Sequence, residues 1–265
     1  MTALKPHTVS AYNLAKDSEN KMHDDTVARR FGFQGGLVPG VDVFAYMSHM
    51  PVAKWGKAFL ESGLMDGRFL KPVYDGETAI VSAEDTDTGI AIKVESRGEV
   101  CATAHASMPS EMQTISLNDF EDVSVVAKRE PVNASSYAQG KWLGISPYTL
   151  GDQSSLDYLR DIRETDPLYA DDRVVHTGTL LRAMNSVLKE NAILGPWIHV
   201  GSNIRYLATA SVEDVLTARA KVTANYDRKG HKFVELDGVI VANGKNLIAH
   251  CQHVAIYQPR ETMAA

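Results

Sequence analysis

The sequence predicts an α+β protein made of two copies of one unit, a buried helix followed by antiparallel strands. Three observations predict it. An apolar stretch with helical spacing, residues 41–50, runs into alternating β-branched segments separated by tight turns. The same order returns in the second half, from Val174 onward. A polar, acid-rich stretch without sustained period, residues 109–130, lies between the two. A helix followed by turn-linked strands suggests a helix laid on a sheet. A repeat this long means a duplicated domain rather than a solenoid.

In chain order, residues 1–16 read as a short lead-in, with an edge helix over 9–15. A polar segment around His23 leads to a short helix, residues 26–31, that carries Arg29 and Arg30. A glycine-rich turn from Gly32 to Gly40 follows, with Pro39 just before its end. In the next stretch Val41, Phe44, Ala45 and Ser48 fall at helical spacing, and Val43, Met47 and Met50 widen the apolar face. A helix apolar nearly all round is buried. Its first turn leaves backbone N–H groups free to meet an acceptor. Residues 52–61 extend the helix until Ser62-Gly63.

Residues 67–83 contain two strand-like pieces around Tyr74-Asp75-Gly76. Asp87-Thr88-Gly89 turns into a strand over 90–96, and Arg97-Gly98 makes a tight hairpin into 100–108. Residues 133–150 are irregular but hold Tyr137, Trp142 and Tyr148, and so should pack. In the second half, Val174-Val175-His176-Thr177-Gly178 parallels Leu37-Val38-Pro39-Gly40, and residues 179–188 parallel the first apolar helix. Ile204-Arg205-Tyr206-Leu207 parallels Gly67-Arg68-Phe69-Leu70. Strands over 216–222, 232–241 and 246–257 are joined through Arg228-Lys229-Gly230 and Asn243-Gly244. The expected division is a first unit over 1–108, a linker and irregular segment over 109–150, and a degenerate second copy over 151–265.

Composition narrows the function. The chain has 265 residues, 44% hydrophobic and 23% charged, as in ordinary globular proteins. A net charge of −6 leaves no basic footprint, so nucleic acid is not an expected partner. No apolar run reaches the ~18 residues of a membrane span, and the first residues lack the apolar core of a signal peptide. A cytoplasmic location is expected. Cys101 and Cys251 lie in strand-like runs without metal-ligand spacing, which predicts buried free thiols and no metal site. No nucleophile elbow, phosphate loop or dinucleotide fingerprint is present.

The segment from Asp17 to Tyr46 carries the chemistry. Asn20-Lys21-Met22-His23-Asp24-Asp25, then Ala28 and Gly32-Phe33, then Gly35-Gly36-Leu37-Val38-Pro39-Gly40, resembles the motif of the MaoC-like, (R)-specific enoyl-CoA hydratases. That family pattern is approximately D-x-N-P-x-H-x-D, A-x-x-x-G-F and a glycine turn ending in H-G. Here Ser18 stands five residues before His23, where the family has aspartate, and Asp17 is one further back. Pro39 replaces the turn histidine. The resemblance implies a tandem (double) hotdog fold, two antiparallel sheets each wrapped around a central helix and joined edge to edge. It also implies a hydratase or dehydratase of acyl thioesters such as acyl-CoA, without cofactor, and allows a homodimer.

The roles follow. His23 and Asp17 would hold the attacking water and deliver a proton, and Gly40 would give its N–H to the thioester oxygen. Asp24 and Asp25 compete with Asp17 for the acid. Asn20 would orient His23 or the water; Tyr46, His176 and Trp197 would line the substrate site. His176 reads more readily as a buried, satisfied histidine. The second half has no N-x-x-H-x-D segment, so one centre per chain is expected. Two other readings stay open: a thioesterase using Asp24 or Asp25, and a non-catalytic binder of acyl thioesters.

Overall fold

The computed structural model describes residues 4–111 and 114–261. The lead-in at residues 1–3, residues 112 and 113 of the expected linker, and 262–265 lie outside the described residues. Strand β1 (His7–Ser10) comes first. Helix α1 (Asp25–Arg30), the long helix α2 (Gly40–Trp55) and the short α3 (Lys57–Ser62) follow. Strands β2 (Leu64–Phe69), β3 (Thr78–Thr86), β4 (Gly89–Ser96) and β5 (Glu99–Ser107) complete the first half. Strand β6 (Trp142–Gly144) and helices α4 (Asp152–Asp161), α5 (Leu168–Asp171) and α6 (Thr177–Lys189) open the second. Strands β7 (Ile198–Tyr206), β8 (Leu216–Arg228), β9 (His231–Ala242) and β10 (Asn246–Gln258) end it.

The strands form one ten-stranded sheet in the order β1-β3-β4-β5-β2-β7-β10-β9-β8-β6. Each half mirrors the other across the central pair. The two sheets expected to join edge to edge form one continuous sheet: β2 and β7 pair antiparallel, with Gly67 opposite Ser202 and Arg68 opposite Gly201, so the halves share one ladder. This seam is tight. A Cβ on Gly201 would stand 2.6 Å from the Gly67 carbonyl oxygen, and one on Gly67 would stand 2.9 Å from the Phe44 ring. A side chain at either place would force the strands or α2 apart.

Local chemistry explains most elements. Arg97 and Gly98 have φ of 54° and 73°, and Asn243 and Gly244 have 53° and 72°. Two successive positive φ values match the hairpin twist of a primed turn. Helix α2 packs on β3, β4 and β5 and touches α6, which lies on β8, β9 and β10. Phe44, Met47 and Met50 are fully buried, worth ~2 kcal/mol each.

Two local expectations are corrected. The edge helix expected over residues 9–15 is absent: residues 9 and 10 end β1, whose alternating burial goes with its pairing to β3, and residues 11–15 are irregular backbone leading into a turn. Four residues show too little period to separate helix from strand, and the vacant edge of β3 decides the matter. The irregular segment 133–150 contains β6, which caps the opposite edge on β8. Tyr137 there is fully buried, and its hydroxyl donates to the Leu188 carbonyl at 2.9 Å.

Candidate functional site

Two cavities meet at the N-terminal end of α2. The first, about 210 Å³, has mostly apolar walls, including Val38, Val43, Phe69 and Ile198. The second, about 520 Å³, is richer in charged and polar side chains, among them Arg129, Arg182 and Lys189. Asn20, His23, Pro39, Asn185 and Trp197 line both.

His23 sits on a single helical turn, Lys21–His23, capped by the Asn20 side chain. Its Nδ1–H donates to the Leu37 carbonyl at 2.6 Å, so Nε2 carries the lone pair. The Asn20 amide meets Nε2 at 3.2 Å. Asn20 is itself fixed from the other half: its Nδ2 donates to the Trp197 carbonyl and its Oδ1 accepts from the Trp197 N–H, both at 3.0 Å. Oδ1 also accepts from the Met22 N–H. These bonds decide which end of the amide faces the imidazole. Burial pushes His23 down to about 4, against the Leu37 hydrogen bond, with the charge of Arg182 adding to the fall. At neutral pH the ring is an uncharged base.

Gly40 begins α2 on the wall of the first cavity. A Cβ there would meet His199 Nδ1 at 2.9 Å and the Phe69 ring at 3.2 Å, so no larger residue fits without displacement. Behind it lies a buried chain that the sequence did not reveal. His199 Nε2 meets Ser202 Oγ at 2.8 Å, and Ser202 Oγ meets His253 Nδ1 at 2.9 Å. The two rings stack at 4.3 Å. Burial, with His253 adding to it, holds His199 well below the usual histidine range, and burial lowers His253 to about 3. The three residues come from two strands far apart in sequence, and no local pattern links them.

The structure thus brings together His23, Asn20, Gly40 and Trp197. Asp17 stands apart. The turn at residues 15–18 closes with the Ser18 N–H on the Ala15 carbonyl, leaving Asp17 exposed and Ser18 on the wall of the second cavity. The expected convergence of Asp17 with His23 is therefore corrected, and the residue facing the site is the one in the family register. Asp24 caps α1 through the Val27 N–H, and Asp25 accepts from the Gly36 N–H. Among the described residues no carboxylate lines the first cavity. In the second, Glu19 is held by Arg129 and Glu190 accepts from the Ser146 N–H.

Tyr46 and His176 also lie outside the two cavities. Tyr46 is buried on the other side of α2, where its hydroxyl accepts from the Tyr12 N–H. His176 caps α6, its Nδ1 accepting from the Gly178 N–H at 3.1 Å, while Nε2 faces Glu164 Oε2 at 3.4 Å. Glu164 also binds His49 Nδ1 at 2.7 Å. Burial opposes its charge, yet His176 and His49 hold its carboxyl well below the usual range. The space before α6 is filled: a Cβ on Gly178 would collide with the Tyr158 hydroxyl and with Ala45. The place that is open at α2 is packed at α6.

Comparison with known proteins agrees with this architecture. No family model and no curated protein matches the sequence. Solved structures do match. One, described as a MaoC domain protein dehydratase from Chloroflexus aurantiacus J-10-fl, has a TM-score of 0.62 at 12% identity, over 97% of this chain and 94% of that one. Another, titled MaoC-like dehydratase, also gives 0.62 at 12% identity, over 96% and 98%. A Mycobacterium tuberculosis protein described as having a double hotdog fold gives 0.62 at 10% identity, over 97% and 96%. At such identities the likeness speaks for the fold. The chain has the double hotdog fold, and MaoC-like dehydratases are among its structural neighbours.

Proposed function

We propose that the chain is a cofactor-independent hydratase or dehydratase of acyl thioesters, adding water reversibly across a 2-enoyl-CoA. The observation that carries this is the state of His23. It is neutral, its Nδ1–H is locked on Leu37, and it stands where an apolar chamber meets a more polar one beside the start of α2. The acyl group would occupy the apolar chamber, with the thioester oxygen at the Gly40 N–H. Water takes the place of the Asn20 N–H at His23 Nε2 and gives the ring a proton as its oxygen bonds to C3. The enolate that forms at the thioester is stabilised by the amide, and His23 returns the proton to C2. In the reverse direction the same ring removes the C2 proton and hands it to the departing hydroxyl. The polar arm of the thioester would leave through the second cavity, past Arg129, Arg182 and Lys189. Free, buried Cys101 and Cys251 suit a reducing cytoplasm.

The second reading is a non-catalytic binder of acyl thioesters, favoured by the outward Asp17 and by Ser18 in the place of an acid. A thioesterase is less well served, because Asp24 and Asp25 are engaged by backbone N–H groups. The test follows crotonyl-CoA at the enoyl absorbance, with free thiol monitored in parallel. The wild type should consume the enoyl signal without releasing thiol. His23→Ala should lower kcat/KM by ~10² or more, while His176→Ala changes stability or affinity alone. Thiol release would establish the thioesterase. Tight binding without turnover would establish the binder.

A further inference from the structure

Asn185 is a polar residue of the cavity walls that the fold itself does not use. It lines both chambers, with Asn20 and His23. Its carbonyl oxygen is shielded from solvent and unpartnered, and among the described residues its amide makes no hydrogen bond within the protein. Asn20 and Asn191 differ: each of their amides is tied to backbone groups. The residue is half-buried, but a carbonyl oxygen shielded without a partner is costly unless the amide turns to pair with something that enters the cavity. Counted from Gly178 and Gly40, Asn185 and Arg182 fall where α2 carries Met47 and Phe44, both fully buried. The polar pair is thus particular to α6 and lies on the face turned toward the first half's chemistry.

We propose that Asn185 binds the oxygen on the β-carbon of the substrate, the hydroxyl of a 3-hydroxyacyl thioester or the water that becomes it. The proposal rests on the acyl-thioester reading above. An amide carries a donor and an acceptor, and a half-turn about its last torsion exchanges which of them faces the cavity, so it holds a hydroxyl whichever way the proton points. His23 then exchanges the proton while Asn185 fixes the oxygen. The centre is composite, with its base on the first half and its oxygen-binding amide on the helix of the second. No carboxylate is required at either place.

The experiment is calorimetric titration of 3-hydroxybutyryl-CoA and butyryl-CoA into the wild type and Asn185→Leu. The wild type should bind the hydroxylated thioester about tenfold more tightly, the scale of one buried hydrogen bond. Asn185→Leu should bind both alike, with its affinity for butyryl-CoA within about threefold of wild type. Should the leucine variant fail to fold, Asn185→Ala, which adds no bulk, takes its place. No preference in the wild type, a preference that survives the substitution, or no binding of either thioester would overturn the proposal. Crotonyl-CoA turnover reports on the reaction separately. Turnover without a hydroxyl preference keeps the hydratase reading and removes Asn185. An Asn185-dependent preference without turnover does the reverse.

Discussion

Asn20→Ala should destabilise the protein by about 3 kcal/mol and misdirect His23 in the same stroke. The side chain makes four contacts: to the Trp197 carbonyl and N–H at 3.0 Å each, and to His23 Nε2 and the Met22 N–H at 3.2 Å each. At about 1 kcal/mol net apiece the sum approaches 4. Two opposing corrections apply. Trp197 is buried, so its orphaned backbone groups bear a desolvation penalty; the adjoining cavities admit water, which recovers part of it. Urea unfolding followed by fluorescence is the assay. With an m-value of about 3 kcal/mol/M, the midpoint should fall by about 1 M. Asn20→Asp keeps the acceptor and loses both donors, so it should sit between alanine and wild type at pH 7.5. Its carboxylate beside Nε2 should also raise the His23 pKa. A midpoint within about 0.3 M of wild type for the alanine variant would refute the reasoning. It would mean that the Trp197 backbone does not depend on Asn20.

Stability should fall on mild acidification, because His7, His23 and His253 are lowered from the ordinary 6.5 to about 4, 4 and 3. Their contribution is complete above pH 6.5 and is lost as pH drops toward 4, at up to about 1.4 kcal/mol per group per pH unit; a flat urea midpoint between pH 7.5 and 5 would contradict this. Gly40→Ala should abolish thioester binding, since its methyl would meet His199 and Phe69; titration of butyryl-CoA at unchanged far-ultraviolet dichroism checks it. Asp42→Asn should cost about 2–3 kcal/mol, because Asp42 is fully buried and takes Arg182 at 2.6 and 2.7 Å and the Tyr158 hydroxyl at 3.1 Å. Arg182 is 34% exposed, which trims that figure. The double variant Asp42→Leu with Arg182→Met should lose less than the two single changes added together.

Much of this architecture was legible in the sequence. The helical spacing around Val41–Met50, the positive-φ turns Arg97-Gly98 and Asn243-Gly244, and the repeated order of helix and strands are local signals, and each appears where expected. What stayed hidden is non-local. The pairing of β2 with β7 depends on close approach at Gly67 and Gly201, and nothing in either strand alone announces its partner. In the candidate site, the asparagine, the histidine and the glycine of the motif were readable. The direction of Asp17 was not, because one residue's shift within a turn exchanges the exposed side for the lined one. Asn185 was missed for another reason. A polar residue on an amphipathic helix reads as solvated until the opposing wall is known.

The packed space before α6 has a consequence for how such a centre can change over time. In a symmetric pair of identical chains each substitution is made twice, so a residue that improves one centre must be tolerated in the other. Here the two helices are encoded separately. One keeps the open terminus, and the other, with Tyr158, His176 and Glu164 closing its own, lends Arg182 and Asn185 to the cavity wall. Changes in what the protein accepts can then accumulate on α6 alone, leaving the base and its tether untouched.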